Sequence, residues 1–594
     1  MSNIHQLVTD HIDTWTAAQA PKKSGGRGKR SSKTSHHGIQ KLRQLILELA
    51  VRGKLVPQDA NDEPASVLLE RIAERKEKLI KEKKIKKQKL LPPVTEEEKP
   101  FELPPGWAIE RVGNLTEKLG SGSTPRGGKT AYVDDGIPFL RSQNIWSDGI
   151  KLEDIAYIPQ ETHDNMDNTK VYPGDVLLNI TGASLGRSTI FPEELSEANV
   201  SQHVTIIRLL EKNMGRFMHL GILSPMIQRF VWGRQVGMAI EGLSKKVLEM
   251  FEFPIPPLAE QYRIASKVEE LMALCDQLEH RQENQQQAHQ TLVTTLLNGL
   301  LESAKATDAN IENAGAFFEQ RIAEHFDTLF TTEQSIDQLK QSILQLAVMG
   351  KLVPQEPNDQ PASELLKKIA AEKAKLIKEK KIKKQKPLPE ITYDEKPFAL
   401  PVGWEWCRHQ QMVTLLGDGL HGTPNYDDLG SYFFVNGNNL NDGVINIKPE
   451  TKRVNETEYL KYKKELNSRT IFVSINGTLG NVAFFNDEPI MLGKSACYFN
   501  LGTELSKLFI KRLIESPYFL NYAFASATGS TIKNLGLKSM NNFPVALPPL
   551  EEQHRIVAKV DQLMAICDQL KQRLADAQTT QLHLADAMAE QTVG

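Results

Sequence analysis

Cysteine is scarce in this chain: four in 594 residues, at Cys275, Cys407, Cys497 and Cys567, with no CxxC pair among them. That excludes a disulfide framework, argues against a structural zinc site and points to a reducing compartment, the cytoplasm. No run of about 18 apolar residues occurs, so no membrane-spanning helix and no membrane partner are expected. The opening MSNIHQLVTDHIDTW lacks the basic-then-apolar layout of a secretion signal. Apolar residues at 40% and charged residues at 25% rule out wholesale disorder. A net charge of −2, taken alone, argues against a nucleic-acid partner. The length predicts about four domains.

Catalytic signatures are missing too. Gly122–Thr130 approaches a phosphate-binding loop, but Ser123 holds the place of the first glycine. The following AYVDDGIPF is no helix, so no helix N-terminus would hold a phosphate. Gly182–Gly186 satisfies GxSxG, yet the next residues, RSTIF, are strand-like, which predicts a hairpin turn rather than a nucleophile elbow. The Pro-Pro pairs are followed by Val94, Gly106, Leu258 and Leu550, never by the aromatic residue of an adenine methyltransferase, and no glycine-rich S-adenosylmethionine loop is found. His163, His203 and His421 lack ligand spacing. No catalytic residue, no metal site and no cofactor are assigned to this chain.

What the chain does contain is a repeat of itself. Gly53–Gln58 (GKLVPQ) recurs at Gly350–Gln355, LIKEKKIKKQK at Leu79–Lys89 recurs letter for letter at Leu376–Lys386, and Leu103–Trp107 (LPPGW) returns as Leu400–Trp404 (LPVGW). All three share an offset of 297, half the chain. Pro256-Pro257-Leu258 matches Pro548-Pro549-Leu550, and LMALCDQL at Leu271–Leu278 matches LMAICDQL at Leu563–Leu570, both at offset 292. The chain is a tandem duplication. Between these frames the copies share only scattered positions, over inserts of about 145 residues, the size of a domain. Constant frames suit a repeated partner, and divergent inserts suit two different targets.

After each Pro-Pro pair the apolar residues step by four and three: Ile264, Val268, Leu271, Cys275 and Leu278, then Ile556, Val560, Leu563, Cys567 and Leu570. This seam predicts amphipathic helices of about 20 residues that pair with other helices, with both cysteines as small apolar packing residues. The inserts, with short apolar runs such as Val204–Leu209 and Thr470–Ile475 broken by Gly, Asn and Pro, read as strand-rich mixed domains. The fold class expected is α+β, with two mixed α/β domains separated by long antiparallel helices in an internal pseudo-two-fold repeat. The segments are 1–103 (helical, with a flexible basic linker at 21–38), 104–256 (first insert), 257–400 (central region with a long helix), 401–547 (second insert) and 548–594 (C-terminal helix).

Charge distribution revises the first impression. Lys76–Lys89 carries a net +6 and Lys373–Lys386 a net +7, so the remainder of the chain sums to −15. Three readings of these runs stand open: a solvated helix face, a track for a DNA backbone, or a site for an acidic partner. The inserts hold side chains suited to base edges, Arg for guanine and Asn or Gln for adenine. In the first insert these are Arg141, Gln143 and Asn144, with Ser123, Thr124, Arg126 and Lys129 in the glycine-rich loop, Arg187 after GASLG, and Lys245 and Lys246. In the second they are Asn436, Asn438 and Asn439, with His421, Asn425 and Tyr426 in the loop, and Lys533 and Lys538.

The two inserts, each closing with PPL-x-EQ-x-RI (Pro256–Ile264 and Pro548–Ile556), and the motifs DVLLNITGASLG and TIFVSINGTLG resemble the specificity subunit of type I restriction-modification systems. GKLVPQ and LIKEKKIKKQK resemble the subgroup with extended N-terminal and central constant regions. The resemblance implies that each insert reads one half of a split, asymmetric site in double-stranded DNA, with paired helices as a ruler between them. It further implies two methyltransferase subunits that bring S-adenosylmethionine, and motor-nuclease subunits that bring ATP and Mg²⁺, all docked on a chain that does no chemistry itself. The rival classes are an enzyme acting alone, which the missing motifs disfavour, and a coiled-coil DNA-binding or interaction scaffold outside restriction-modification.

Overall fold

In the chain's computed structural model the described residues are 6, 10–21, 34–87, 91–235, 242–306 and 324–593. The middle of the basic linker, 22–33, lies outside them. The chain divides into two compact units, one built from the residues up to Asn284 together with those from Ala577, the other Gln285–Asp576.

Six helices frame these units: α1 His37–Val51, α2 Ala65–Lys81, α3 Leu258–Ala306, α4 Glu333–Val348, α5 Ala362–Lys378 and α6 Leu550–Val593. The seam helices are far longer than the 20 residues expected: α3 has 49 and α6 has 44. The four-three spacing resumes at Val293, Leu297, Leu300 and Ala304, all buried, beyond a polar glutamine-rich stretch in which no proline ends the helix. Helix α3 begins in the first unit and ends in the second, and α6 does the reverse.

Inside each unit the seam packs beneath a third, shorter helix that the repeat pattern alone does not reveal. Ile264, Val268, Leu271, Cys275 and Leu278 are buried in one cluster with Leu42, Leu45 and Ile46 of α1 and Ala585 of α6. Arg43 reaches Asp276 at 2.6 Å and Glu279 at 3.2 Å, while His37 and Lys41 meet Asp586 at 3.0 and 3.1 Å. In the second unit Ile556, Val560 and Cys567 are buried, with Leu563 and Leu570 half-buried, against Ile336, Leu339 and Ile343 of α4 and Val293 and Leu297 of α3.

The duplicated motifs converge on one junction in each unit. Glu260 of PPLAEQ, almost fully buried, accepts from Trp107 Nε1 at 3.0 Å and from Gln58 Nε2 at 3.1 Å. Glu552 accepts likewise from Trp404 Nε1 at 2.9 Å and Gln355 Nε2 at 2.8 Å. Arg263 pairs with Asp62 and Arg555 with Asp359 at 2.5 and 2.7 Å. Gly53 and Gly350 sit at φ +67° and +68°, where any Cβ would lie within 3 Å of the Trp107 or Trp404 ring, so only glycine fits. Most of the constant frame is therefore accounted for inside each unit rather than by a repeated partner. The exposed lysines are not.

Each insert is a mixed domain tied to this junction by a two-stranded ladder, Ala108–Arg111 with Glu252–Ile255 and Glu405–Arg408 with Pro544–Leu547. The first contains β1 Thr116–Ser121, β2 Ile137–Leu140, β3 Val176–Asn179, β4 Ser188–Ile190, β5 Ala198–Val200 and β6 Val204–Leu209. The second contains β7 Val413–Asp418, β8 Tyr432–Val435, β9 Thr470–Ser474, β10 Val482–Phe484, β11 Ile490–Leu492 and β12 Ala496–Leu501. One antiparallel sheet runs β4-β3-β6-β1 and its counterpart β7-β12-β9-β10. In the second sheet of each domain β2 pairs parallel with β5, and β8 with β11. GASLG and its counterpart NGTLG are hairpin turns, between β3 and β4 and between β9 and β10.

Trp107→Phe or Trp404→Phe would leave a buried carboxylate oxygen without its donor and lower stability by about 1–3 kcal/mol. Chemical denaturation of each variant against the parent chain measures this; an unchanged midpoint would show that the junction is not cohesive.

Candidate nucleic-acid interface

Strand register gathers the candidate residues. Ser121 stands opposite Thr205, Asn179 opposite Val204, and Leu140 beside Val200. Loops 122–127, 141–146, 180–187 and 201–203 therefore open at one end of the domain. Thr181 bridges Gly242, and Leu243 N–H donates to Ile180 C=O at 2.9 Å, which brings the exposed Lys245 and Lys246 to the same end. In the second domain Asp418 faces Cys497, Ser474 faces Ala496 and Val435 lies beside Leu492. Gly477 N–H donates to Lys533 C=O at 3.0 Å, so 419–426, 436–439, 475–480, 493–495 and the 533–538 segment share an end.

The residues so gathered do not all face outward. Asn144 is 1% and Asn439 5% exposed. Each builds its own turn: Asn144 Oδ1 accepts from Arg141 N–H and its Nδ2 donates to Lys151 C=O, as Asn439 does with Asn436 and Asn446. Buried side chains committed to shaping their own loop cannot reach a base edge, so the base-reading assignment of Asn144 and Asn439 is corrected. Arg141 is tied by Nη2 to Asp154 C=O at 2.6 Å, and Asn436 accepts from Ser495 Oγ at 2.9 Å. Asn425 is held through its backbone N–H on the Glu458 carboxylate, and His421 sits 2.6 Å from Asp418.

The outward set is Gln143 and Asn438, equivalent positions of the two turns, with Ser123, Arg126, Tyr426 and Lys538, while Arg187 and Lys533 are half-buried. Thr124 is exposed and hydrogen-bonded to Gln202. The side chain of Lys129 lies outside the described residues. Gln202, His203 and Trp146 join this end of the first domain and Lys494 that of the second, though none was among the DNA-contact candidates. Thr181 Oγ1 and His203 Nδ1 lie 2.7 Å apart, and Trp146 Nε1 donates to Gln143 C=O at 2.8 Å. The signal for two of them was present: Gln202 and Lys494 stand at the repeat offset of 292, just ahead of β6 and β12.

The far end of each domain is fixed by charge. Arg111, buried, binds Glu98 at 2.6 Å and Glu252 at 2.7 Å; Arg408 binds Glu395 at 2.6 Å. These guanidiniums hold Glu98 and Glu395 down at about 2. Burial pushes the Cys275 thiol up to about 11 and Cys497 to about 12, so they are packing groups, not nucleophiles. Among the described residues no three His, Cys, Asp or Glu are placed to hold a metal ion, and no helix is long and apolar enough to cross a membrane.

A family model described as the type I restriction modification DNA specificity domain matches twice, at residues 104–286 and 401–577. The chain belongs to that family. Two Escherichia coli specificity subunits resemble it over essentially their whole length. The type I restriction enzyme EcoAI specificity subunit is 38% identical over 611 residues, covering 100% of both chains, and the EcoEI subunit 38% over 612, covering 99% of both. A crystal structure of the HsdS subunit from Thermoanaerobacter tengcongensis is 16% identical, covers 83% of this chain and 98% of that one, and superposes with a TM-score of 0.34. Each specificity domain thus runs from its LPxGW motif through the PPL-x-EQ helix start, spanning one insert and one seam.

One buried group in the second specificity domain gives a pH signature. His409, 2% exposed, has no hydrogen-bond partner on either ring nitrogen and packs edge-on to Phe499 at 4.6 Å. Burial, helped by the Lys373 charge, pushes its pKa down from 6.5 to about 3. The unfolded imidazole takes up a proton below pH ~6.5 while the folded one stays neutral, so its stabilising contribution is complete above that pH and is lost as pH falls toward 3. Melting temperature should fall across that window, and less steeply in His409→Leu; parallel slopes would remove His409 as the cause.

Proposed function

We propose that this specificity subunit reads a bipartite, asymmetric site in double-stranded DNA, one half per domain, through the loop ends gathered by β1, β2, β3 and β6 and by β7, β8, β9 and β12. The observation that carries the reading is the contrast within each copy. The junction ends repeat the same Trp and Gln bonds to a buried Glu and the same Arg–Asp pair, whereas the loop ends, folded on equivalent strands, carry different side chains. The chain is not itself an enzyme. Methyltransferase subunits would dock on it and bring S-adenosylmethionine, and motor-nuclease subunits would bring ATP and Mg²⁺. We place it in the cytoplasm, where the DNA is and where its free thiols stay reduced.

Exchanging residues 105–255 for the corresponding insert of a relative should change one half of the methylated motif and leave the other intact. Methylome sequencing of cells carrying the chain with its methyltransferase partner reads this directly; a motif altered in both halves, or in neither, would refute one-half-per-domain reading.

The long helices act as the ruler between half-sites. Seven residues inserted after Asn284 and again after Asp576, where α3 and α6 leave their units, preserve the seam's phase and add ~10.5 Å at ~1.5 Å per residue. The unspecified gap should lengthen by about 3 base pairs at ~3.4 Å each. Full methylation at the original gap would rule the ruler out.

The lysine runs are assigned to a partner subunit rather than to the bases. Lys76 Nζ donates to Gly113 C=O at 2.8 Å, ahead of β1, and Lys373 Nζ to Gln410 C=O at 2.7 Å, ahead of β7. Glu372 binds Arg469, just ahead of β9, at 2.7 Å. The runs thus start at the opposite ends of the strands from the reading loops. Replacing the exposed Lys78, Lys81, Lys83, Lys86 and Lys87, with their second-copy equivalents, by Gln should weaken assembly with the methyltransferase subunits, most at low salt where screening is least, and leave the motif unchanged. Normal assembly with uniformly reduced methylation at an unchanged motif would transfer the runs to the DNA backbone.

A further inference from the structure

Of the arginines at the reading end of the first domain, Arg126 stands exposed in its loop and Arg141 is tied to a backbone carbonyl. Arg187 is the one set in a fixed position with its donors open. Its guanidinium carbon lies 3.9 Å from the centroid of Trp146. Its N–H groups have no hydrogen-bond or ion-pair partner among the described residues. The backbone around it is fixed. Asn179 N–H donates to Arg187 C=O at 2.8 Å, Gly186 N–H donates back to Asn179 C=O at 2.9 Å, and Gln228 Nε2 donates to Gly186 C=O at 2.9 Å. The ring beneath it is fixed as well. Trp146 lies in a hairpin, Ile145–Trp146 with Gly149–Ile150, and its Nε1 donates to Gln143 C=O. Gln143 itself is exposed with no side-chain partner among the described residues.

An arginine stacked on an indole loses little further side-chain freedom when its planar fork meets two acceptors. The base edge that offers two acceptors side by side is guanine O6 and N7 in the major groove. We propose that Arg187, held by Trp146, is the guanine-reading residue of the first half-site, and that Gln143 beside it reads the adjoining base pair. Trp146 is a positioning residue: it touches no base and acts through Arg187. A second cation, Lys151, stands 4.4 Å from the same ring and supplies positive potential without the fork. The second domain has Asn441 and Asn481 at the corresponding places, so the device belongs to one half-site only.

This assignment rests on the half-site reading above, and the test separates the two. The full chain is expressed with its methyltransferase partner and the methylome sequenced for the parent chain, Arg187→Ala, Arg187→Lys, Trp146→Leu and the 105–255 exchange. The exchange identifies the first domain's half-site, which should contain a guanine. Arg187→Ala should make that guanine position degenerate, with discrimination falling about 10- to 100-fold. Arg187→Lys should not restore it, because a point charge cannot replace the fork, and Trp146→Leu should relax the same position with Arg187 still present. The other half-site should stay as it was. Uniformly reduced methylation with an unchanged motif, from complexes that assemble and melt normally, would make Arg187 a phosphate contact and overturn the proposal, as would a first half-site without guanine. If Arg187→Ala fails to assemble, Arg187→Gln takes its place and is read the same way. A parent chain that gives no bipartite motif would instead refute the half-site reading itself.

Discussion

A buried carboxylate at the start of each long helix is the constraint on which the rest depends. Burial holds Glu260 and Glu552 above the usual carboxylate range. They are tolerable there because an indole N–H and a glutamine amide each occupy one oxygen. The glutamine comes from GKLVPQ, the indole from LPxGW and the carboxylate from PPL-x-EQ, so three segments far apart in sequence must arrive together. The glycine of GKLVPQ is obligatory because the tryptophan packs where its side chain would be. Once this joint is made, the first turn of the long helix, the start of the inserted domain and the approach to the lysine-bearing helix are all set.

The joint explains how two domains of one architecture can carry different loops. Everything near the joint is held by side chains of defined chemistry, and substitution there strands a buried polar group. At the reading end the sheets are held by backbone ladders, which are indifferent to side-chain identity at the turns that connect them. Only the residues that shape a turn are restricted: Asn144 and Asn439 each satisfy a backbone donor three residues back and a backbone acceptor seven residues on. The position between shaping residues, Gln143 in one copy and Asn438 in the other, is free to differ.

Much of this was legible in the sequence. The offsets revealed the duplication, the four-three spacing revealed the seams, and the strand-like RSTIF after GASLG distinguished a hairpin from a nucleophile elbow. The length of α3 was not legible, because its polar middle carries no apolar period and the spacing resumes only at Val293. The burial of Asn144 was not legible either. Asparagine serves turns and base edges equally well, and which it does here depends on Lys151 being folded back beside it by a hairpin. Trp146 gave no signal of its own, since its partner Arg187 lies 41 positions away and the two meet only through the contact between that hairpin and β4.

The distribution of charge resolves the apparent conflict between a net −2 and DNA. Non-specific attraction to phosphates rises with every free cation on the binding surface, and it lowers the ratio by which a true site is preferred over the bulk of a genome. At the loop ends His421 stands against Asp418 and Arg141 against a carbonyl, while Arg126, Lys245, Lys246 and Lys538 stay exposed. The strongly basic runs start at the opposite end of the strands. A chain with a near-neutral total can thus belong to a family of DNA specificity subunits, because its total hides +13 in two lysine runs against −15 elsewhere.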